Sequence, residues 1–394
     1  MERVRWATTF KYEDEQWMEK EGIPIYRADD IIEDMTELPR RPWARLGGLG
    51  TFIELEATKK ASLNLYVVEI PAGGALEPEK HLYDELLYVL QGRGLVEVWH
   101  EGQSKVSFEF GEGSLFAVPL NAWHRLVNGG REPVLIYGES SAPVIMNTLR
   151  NIDFVFNCPY NFDDRFKGEA DYFVANKRYK DTEKRFKDLE PRGGTIWETN
   201  FVPDVRNASF VLDPSQKDEG RQGVQFKMPN WAKMHSSDMP VGHYSAAHYH
   251  GPGAVIIGLK GEGYSLLWER QYGIHPYKDG HEDKVLKVAW KAGSIFSPQD
   301  YVFHAHFNTG KEPHRHLRIV GGGTLGLRHA TLEGRGREGS GPLQLSVRKG
   351  GTQIAYEDED PAIRPAWEEE LRKNGVESSM EPVVYRTDPF KFAF

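Results

Sequence analysis

His248 and His250 stand two residues apart in the segment GHYSAAHYHGPGAVIIGLKGEG, and His304 follows in YVFHAHFNTG. On an extended chain, positions i and i+2 leave the same face, so the first two imidazoles can point at one ion. A third, arriving from a neighbouring strand, completes a three-histidine face. Neutral imidazole suits Fe, Ni, Cu or Zn, and three such ligands leave positions open for a substrate and for dioxygen. Because none of the three carries charge, a divalent ion there keeps its full charge. It then favours a small anionic, chelating substrate such as an enolate, phenolate or carboxylate.

A second constellation lies earlier, in GGALEPEKHLYDELLYVLQGRG. Glu79 and His81 are again i and i+2, Glu85 stands four residues further on, and His124 follows on a later strand-like segment. Two carboxylates would cancel the charge of a divalent ion, favour a harder metal such as Mn, and weaken the pull on an anionic substrate. The two centres are therefore expected to differ chemically, with the later one catalytic. His306, two residues past His304, should face the same way. It is the candidate catalytic side chain, as an outer hydrogen-bond donor, an acid or base, or a replacement ligand. The alternative is a polar residue near the mouth of the site. His100, His235, His275, His281, His314, His316 and His329 fit no ligand spacing.

The elements that must position these groups occur twice. Pro71, Gly73, His81, Gly92, Gly94 and Trp99 reappear 169 positions later as Pro240, Gly242, His250, Gly261, Gly263 and Trp268. Gly113, Ser114, Phe116, His124, Asn128, Glu132 and Pro133 reappear 180 positions later, from Gly293 to Pro313, so the second copy carries one insertion between the two blocks. Chance does not preserve register like this, and the chain reads as a duplicated domain. In this alignment Glu79 meets His248, and Glu85 meets Ala254.

Both copies consist of short segments rich in β-branched and aromatic residues and broken by glycines, as in ASLNLYVVEIPAGG and AVIIGLKGEGYSLLWE. This predicts an all-β class, barrel or sandwich, with QGRG and KGEG supplying the positive φ of tight turns. Trp99 and Trp268 are expected to be core packing, as are Trp123 and Phe303, although the latter two could line a pocket. Residues 151–195 turn polar and charged and are expected to form a partly helical connection on the surface. The Gly-rich stretch 333–342 should be a mobile loop. Near the end, a helix is expected at about 361–374, capped by Asp360, opened by Pro361, stopped by Gly375, and apolar along Ile363, Trp367 and Leu371. Pro365 would kink it unless it falls in the first turns.

With 394 residues, two cores are affordable, and a net charge of −9 without a basic stripe argues against nucleic acid as a partner. The single cysteine, Cys158, permits no intramolecular disulfide. No apolar run suffices for a membrane span, and the charged first 20 residues do not look like a secretory leader, so a cytoplasmic protein is expected.

The chain resembles a bicupin, a two-domain member of the cupin superfamily. That family's first motif runs Gly, five residues, His-x-His, three or four residues, Glu, six residues, Gly. Gly242, His248, His250 and Gly261 match it with Ala254 in the glutamate position, while His81, Glu85 and Gly92 match it with Glu79 replacing the first histidine. The second motif is met by Gly113, Pro119, His124 and Asn128, with Asn121 where glycine is usual, and by Gly293, His304 and Asn308, with the proline shifted to Pro298. The resemblance implies two tandem jelly-roll barrels, at roughly 45–150 and 196–332, between extensions 1–44 and 333–394. It also implies a homo-oligomer, with metal at His248, His250 and His304, and at Glu79, His81, Glu85 and His124.

Three-histidine cupin sites occur in ring-cleaving and diketone-cleaving dioxygenases, and bicupins of similar length resembling gentisate dioxygenase are distantly similar. The leading expectation is therefore an Fe(II) dioxygenase, with Mn, Ni or Zn as other metals. The alternatives are a non-oxidative metal-dependent lyase, decarboxylase or isomerase, and a non-enzymatic ligand-binding bicupin.

Overall fold

The structure, a computed structural model, describes residues 11–60, 63–174, 176–180, 182, 194–210, 223–228, 231–250, 254–320 and 345–392. The Gly-rich stretch 333–342 and most of 181–193 lie outside the described residues.

Two-residue alternation decides the architecture. In the strand Asn64–Ile70, Leu65 and Val67 enter one apolar cluster, while Tyr66, Val68 and Ile70 enter another. The strand Glu85–Gln91 divides the same way, Leu86 and Tyr88 against Leu87 and Val89. Strands that are apolar on both faces must be covered on both. The inner face packs within the first half. The outer face joins Val255, Ile257, Leu259, Leu317 and Ile319 of the second half in one shared layer.

Among the described residues, each half contributes an eight-stranded and a three-stranded sheet. In the first half, Asn64–Ile70, Val134–Ser140, Glu85–Gln91 and Leu115–Val118 run side by side, and Gly94–Trp99 is flanked by Trp123–Val127 and Val106–Phe110. In the second half, Trp231–Met239, His314–Val320, Ala254–Lys260 and Ile295–Phe296 repeat the first order, and Glu262–Glu269 lies between Leu286–Lys291 and Val302–Asn308. The halves also exchange edge strands. Ile31–Ile32 pairs with Ile295–Phe296, and Phe201–Val202 pairs with Leu115–Val118. The fold is thus mostly β, with mixed sheets and a few helices.

The turns repeat with the strands. Gly92 and Gly261 hold φ of +87° and +76°, and a Cβ on Gly92 would lie 2.9 Å from Pro133 O, so both conformation and space select glycine. Asn128 and Asn308 clamp equivalent turns. The Asn128 amide donates to Ile70 O, Pro71 O and Glu132 O, and that of Asn308 to Met239 O, Pro240 O and Glu312 O. Asn128→Ala removes the donor that these carbonyls share and is expected to cost about 1–3 kcal/mol. Denaturant unfolding reads this directly, and an unchanged midpoint would show that the clamp is idle.

The segment 151–195 is more than a surface connection. Val155, Phe166 and Phe173 are buried in the first half's core. The polar composition around them conceals single apolar anchors that no periodicity announces. Trp99 and Trp123 stack on each other at 6.3 Å on the half-exposed face of their sheet, whereas Trp268 and Phe303 are buried. The helix Ile363–Lys373 lies on the second half with Ile363, Trp367 and Leu371 buried. Asp360 accepts from the Ala362 N–H, and Pro365 is its third residue, where a missing N–H breaks no helical bond. No helix among the described residues is long and apolar enough to cross a membrane.

Candidate metal centres

The candidate ligands are delivered by the same construction in both halves. His248 and His304 form an antiparallel bridge, each N–H donating to the other's carbonyl at 3.0 and 2.8 Å. Glu79 and His124 do so at 3.0 and 2.8 Å. The next ligand on each strand is fixed by a second bond. Tyr301 N–H donates to His250 O at 2.9 Å, and Asn121 N–H to His81 O at 3.0 Å. Tyr301 and Asn121 occupy equivalent positions and both take the left-handed conformation, φ +61° and +55°. Asparagine tolerates it well. For tyrosine it carries strain of order 1–3 kcal/mol, beside the site it helps to shape.

In the second half the rings of His248 and His304 lie 4.4 Å apart, those of His250 and His304 4.8 Å, and those of His248 and His250 5.7 Å. One ligand nitrogen from each falls within 4.8 Å of the others. Nδ1–H of His248 donates to Ala246 O and that of His304 to Val302 O, so Nε2 presents its lone pair inward. Burial, then the neighbouring imidazoles and Arg318, hold His248 well below the ordinary histidine range. Burial, with Arg318 adding to it, pushes His304 down to about 4. Both are neutral at pH 7, the form a metal requires. Among the described residues His304 Nε2 is buried with no hydrogen-bond partner, although buried polar atoms are seldom left so. A divalent ion fits this donor set.

Glu79, His81, Glu85 and His124 also converge, with one ligand atom each within 4.8 Å of the others. His81 Nδ1–H donates to Tyr83 O and His124 Nδ1–H to Ala122 O. Here, however, charge is matched inside the protein. Glu85 lies 3.3 Å from His81 Nε2 and accepts from the Tyr66 hydroxyl at 2.8 Å. Glu79 is ion-paired with Arg45, whose Nε in turn reaches Glu21 at 3.0 Å. Burial alone would lower His81, but Glu85 and Glu79 raise it; burial and the charge of His81 lower His124.

Sequence reasoning missed what stands behind the second centre. The His306 ring lies 5.6 Å from that of His304, and His306 is buried. Its Nδ1 lies 2.7 Å from Ser265 Oγ, which also accepts from Trp290 Nε1–H at 3.0 Å. The row continues. The His316 ring is 5.9 Å from that of His306, its Nδ1 is 3.1 Å from His314 Nε2, and its Nε2 is 3.2 Å from Ser237 Oγ. His314 stacks on Trp290 at 3.7 Å and donates from Nδ1 to Lys260 O. The equivalent side chains of the first half are Val68, Val96, Leu126, Val134 and Ile136, all members of its apolar core. Behind the ligands, one interior is therefore aliphatic at these positions and its duplicate polar. Comparing the two copies position by position would have revealed this.

Residues 66–137 match the family described as cupin domain, so the first half contains one. No curated protein matches the sequence. Among solved structures the chain is similar to the coconut allergen cocosin, at 12% identity over 75% of this chain and 85% of that one, with a TM-score of 0.46. It is also similar to a variant of Bacillus subtilis oxalate decarboxylase, at 13% identity over 75% and 77% of the two chains, with a TM-score of 0.45. Likeness of this degree carries no inference about activity.

Proposed function

We propose that the chain is a bicupin, its second half a second cupin domain and each pair of sheets a jelly-roll barrel, and that it is a metal-dependent enzyme. The reaction centre is His248, His250 and His304. The observation that carries this reading is the orphaned, buried and neutral Nε2 of His304 within a converging group of three. A divalent ion at this point supplies a Lewis acid whose charge no ligand of the group reduces. The substrate is a small anion able to chelate.

Non-oxidative chemistry, of the lyase, decarboxylase or isomerase kind, fits the surroundings better than oxygenation. Such reactions need a proton delivered at a defined atom, and His306 is built to hold one. Trp290 Nε1–H can only donate to Ser265 Oγ, and with the hydroxyl proton given to His306 Nδ1 in this reading, the ring's own proton sits on Nε2. In this reading His306 is the catalytic donor, and Ser265 and Trp290 position it. The Fe(II) dioxygenase is the second reading, favoured by the three neutral ligands and the positions they leave open. The first centre, with its two carboxylates, suits a harder ion such as Mn in a structural role.

Elemental analysis of the wild type beside His250→Ala and His81→Ala tests the metal assignment, with each variant expected to lose the metal of its own half. Turnover of small hydroxy and keto acids should then persist without oxygen and disappear in His250→Ala. Oxygen uptake by the iron-loaded protein would transfer the case to the dioxygenase, and a wild type devoid of metal would end both readings.

A further inference from the structure

The two halves share a register, so their interiors can be compared side chain by side chain. In the first half Gly138 pairs with Tyr66, and Ser140 with Glu85. In the second, Arg318 pairs with His235, and Val320 with Ala254. Gly138 lacks a side chain because the Tyr66 ring lies across it. A Cβ there would fall 2.0 Å from the phenol Cζ and 2.5 Å from its oxygen. That oxygen is 2.8 Å from Glu85 Oε1. A side chain leaving this position therefore points to the place of the phenol's end, beside the carboxylate of a candidate ligand.

In the second half that side chain exists. It is Arg318, 6% exposed. The tyrosine is replaced by His235, and the carboxylate is gone, because Ala254 stands where Glu85 does. The exchange is thus a reversal of charge at one position of the site.

We propose that Arg318, beside Ala254, forms a carboxylate subsite, in which the substrate supplies the group that Glu85 supplies in the first half. A guanidinium offers two parallel N–H donors that match a planar carboxylate, and a divalent ion beside it adds attraction from a second direction. The substrate class narrows accordingly to small carboxylic acids carrying a second donor, such as hydroxy or keto acids. Neutral diketones and simple phenols gain nothing from the fork. This inference rests on reading His248, His250 and His304 as a metal centre.

The test uses cobalt(II)-loaded protein, with glycolate and azide as probes followed by visible absorption, and cobalt content measured in every variant. Arg318→Gln should retain cobalt and azide binding but bind glycolate roughly 10- to 100-fold more weakly. Arg318→Lys, which keeps the charge and loses the fork, should fall between. Ala254→Glu approaches the same point from the other side, filling the subsite from the chain and excluding glycolate while cobalt remains. Wild-type glycolate affinity in both Arg318 variants, with cobalt retained, overturns the subsite and leaves the metal centre standing. A wild type that takes up no cobalt at its three histidines overturns both.

Discussion

His304→Leu is expected to give a folded protein that holds no metal in its second half and has no turnover above background. The two effects separate because the two nitrogens of His304 do different work. Nδ1–H makes one neutral hydrogen bond, to Val302 O, and its loss costs about 1 kcal/mol. Nε2 has no hydrogen-bond partner among the described residues, so removing it forfeits no hydrogen bond there and relieves a buried polar atom. Leucine fills the volume of the ring, and the strand keeps its paired bonds with His248. Removing an outer partner of a metal ligand typically costs about 10- to 100-fold in affinity, so removing a ligand itself should cost more. Thermal unfolding with elemental analysis distinguishes the outcomes. A variant that keeps its metal would place the ion elsewhere, and one that unfolds would make His304 a structural residue.

Much of this was legible in the sequence because duplication and alternation are local signals. The paired motifs placed Glu79, His81, Glu85 and His124, and His248, His250 and His304, in two groups before any geometry was available. The left-handed residues before the third ligand were visible only as departures, Asn121 in place of a glycine and Tyr301 at its equivalent. What escaped were features fixed by partners distant in the chain. Strands of two residues, Ile31–Ile32 and Phe201–Val202, have no period to read, and pairing with the opposite half defines them. His314, His316 and Arg318 lie on one face of a strand, but alternation does not say which face is the interior. Tested singly against ligand spacing, the two histidines looked incidental. Set against Val134, Ile136 and Gly138 of the other copy, they mark an interior rebuilt for polar work.

Folding stability is expected to fall by about 3 kcal/mol between pH 5 and pH 8 on account of one side chain, Glu139. It is fully buried on the face of its strand that carries Tyr137 into the apolar layer between the halves, at the position Ile319 has in the second copy. Burial raises it from 4.5 to about 8, against the smaller opposing effect of the Tyr137 hydroxyl, which donates to Oε2 at 2.8 Å. The sign follows from the raised value. The folded state holds a proton that the unfolded chain releases near pH 4.5, so the contribution is complete below that pH and is lost as pH climbs through about 8. Glu359, raised to about 7 by burial, adds a contribution of the same sign. Glu139→Gln keeps an acceptor for Tyr137 and cannot ionise. Denaturant unfolding at pH 5, 7 and 8 should therefore show the wild type losing about 3 kcal/mol relative to the variant, which is the more stable protein at pH 8, while the contributions of Glu359 and of the depressed His248 and His304 are common to both. Parallel profiles for the two proteins would mean that Glu139 ionises in the folded state as readily as in water, and that the layer between the halves admits solvent.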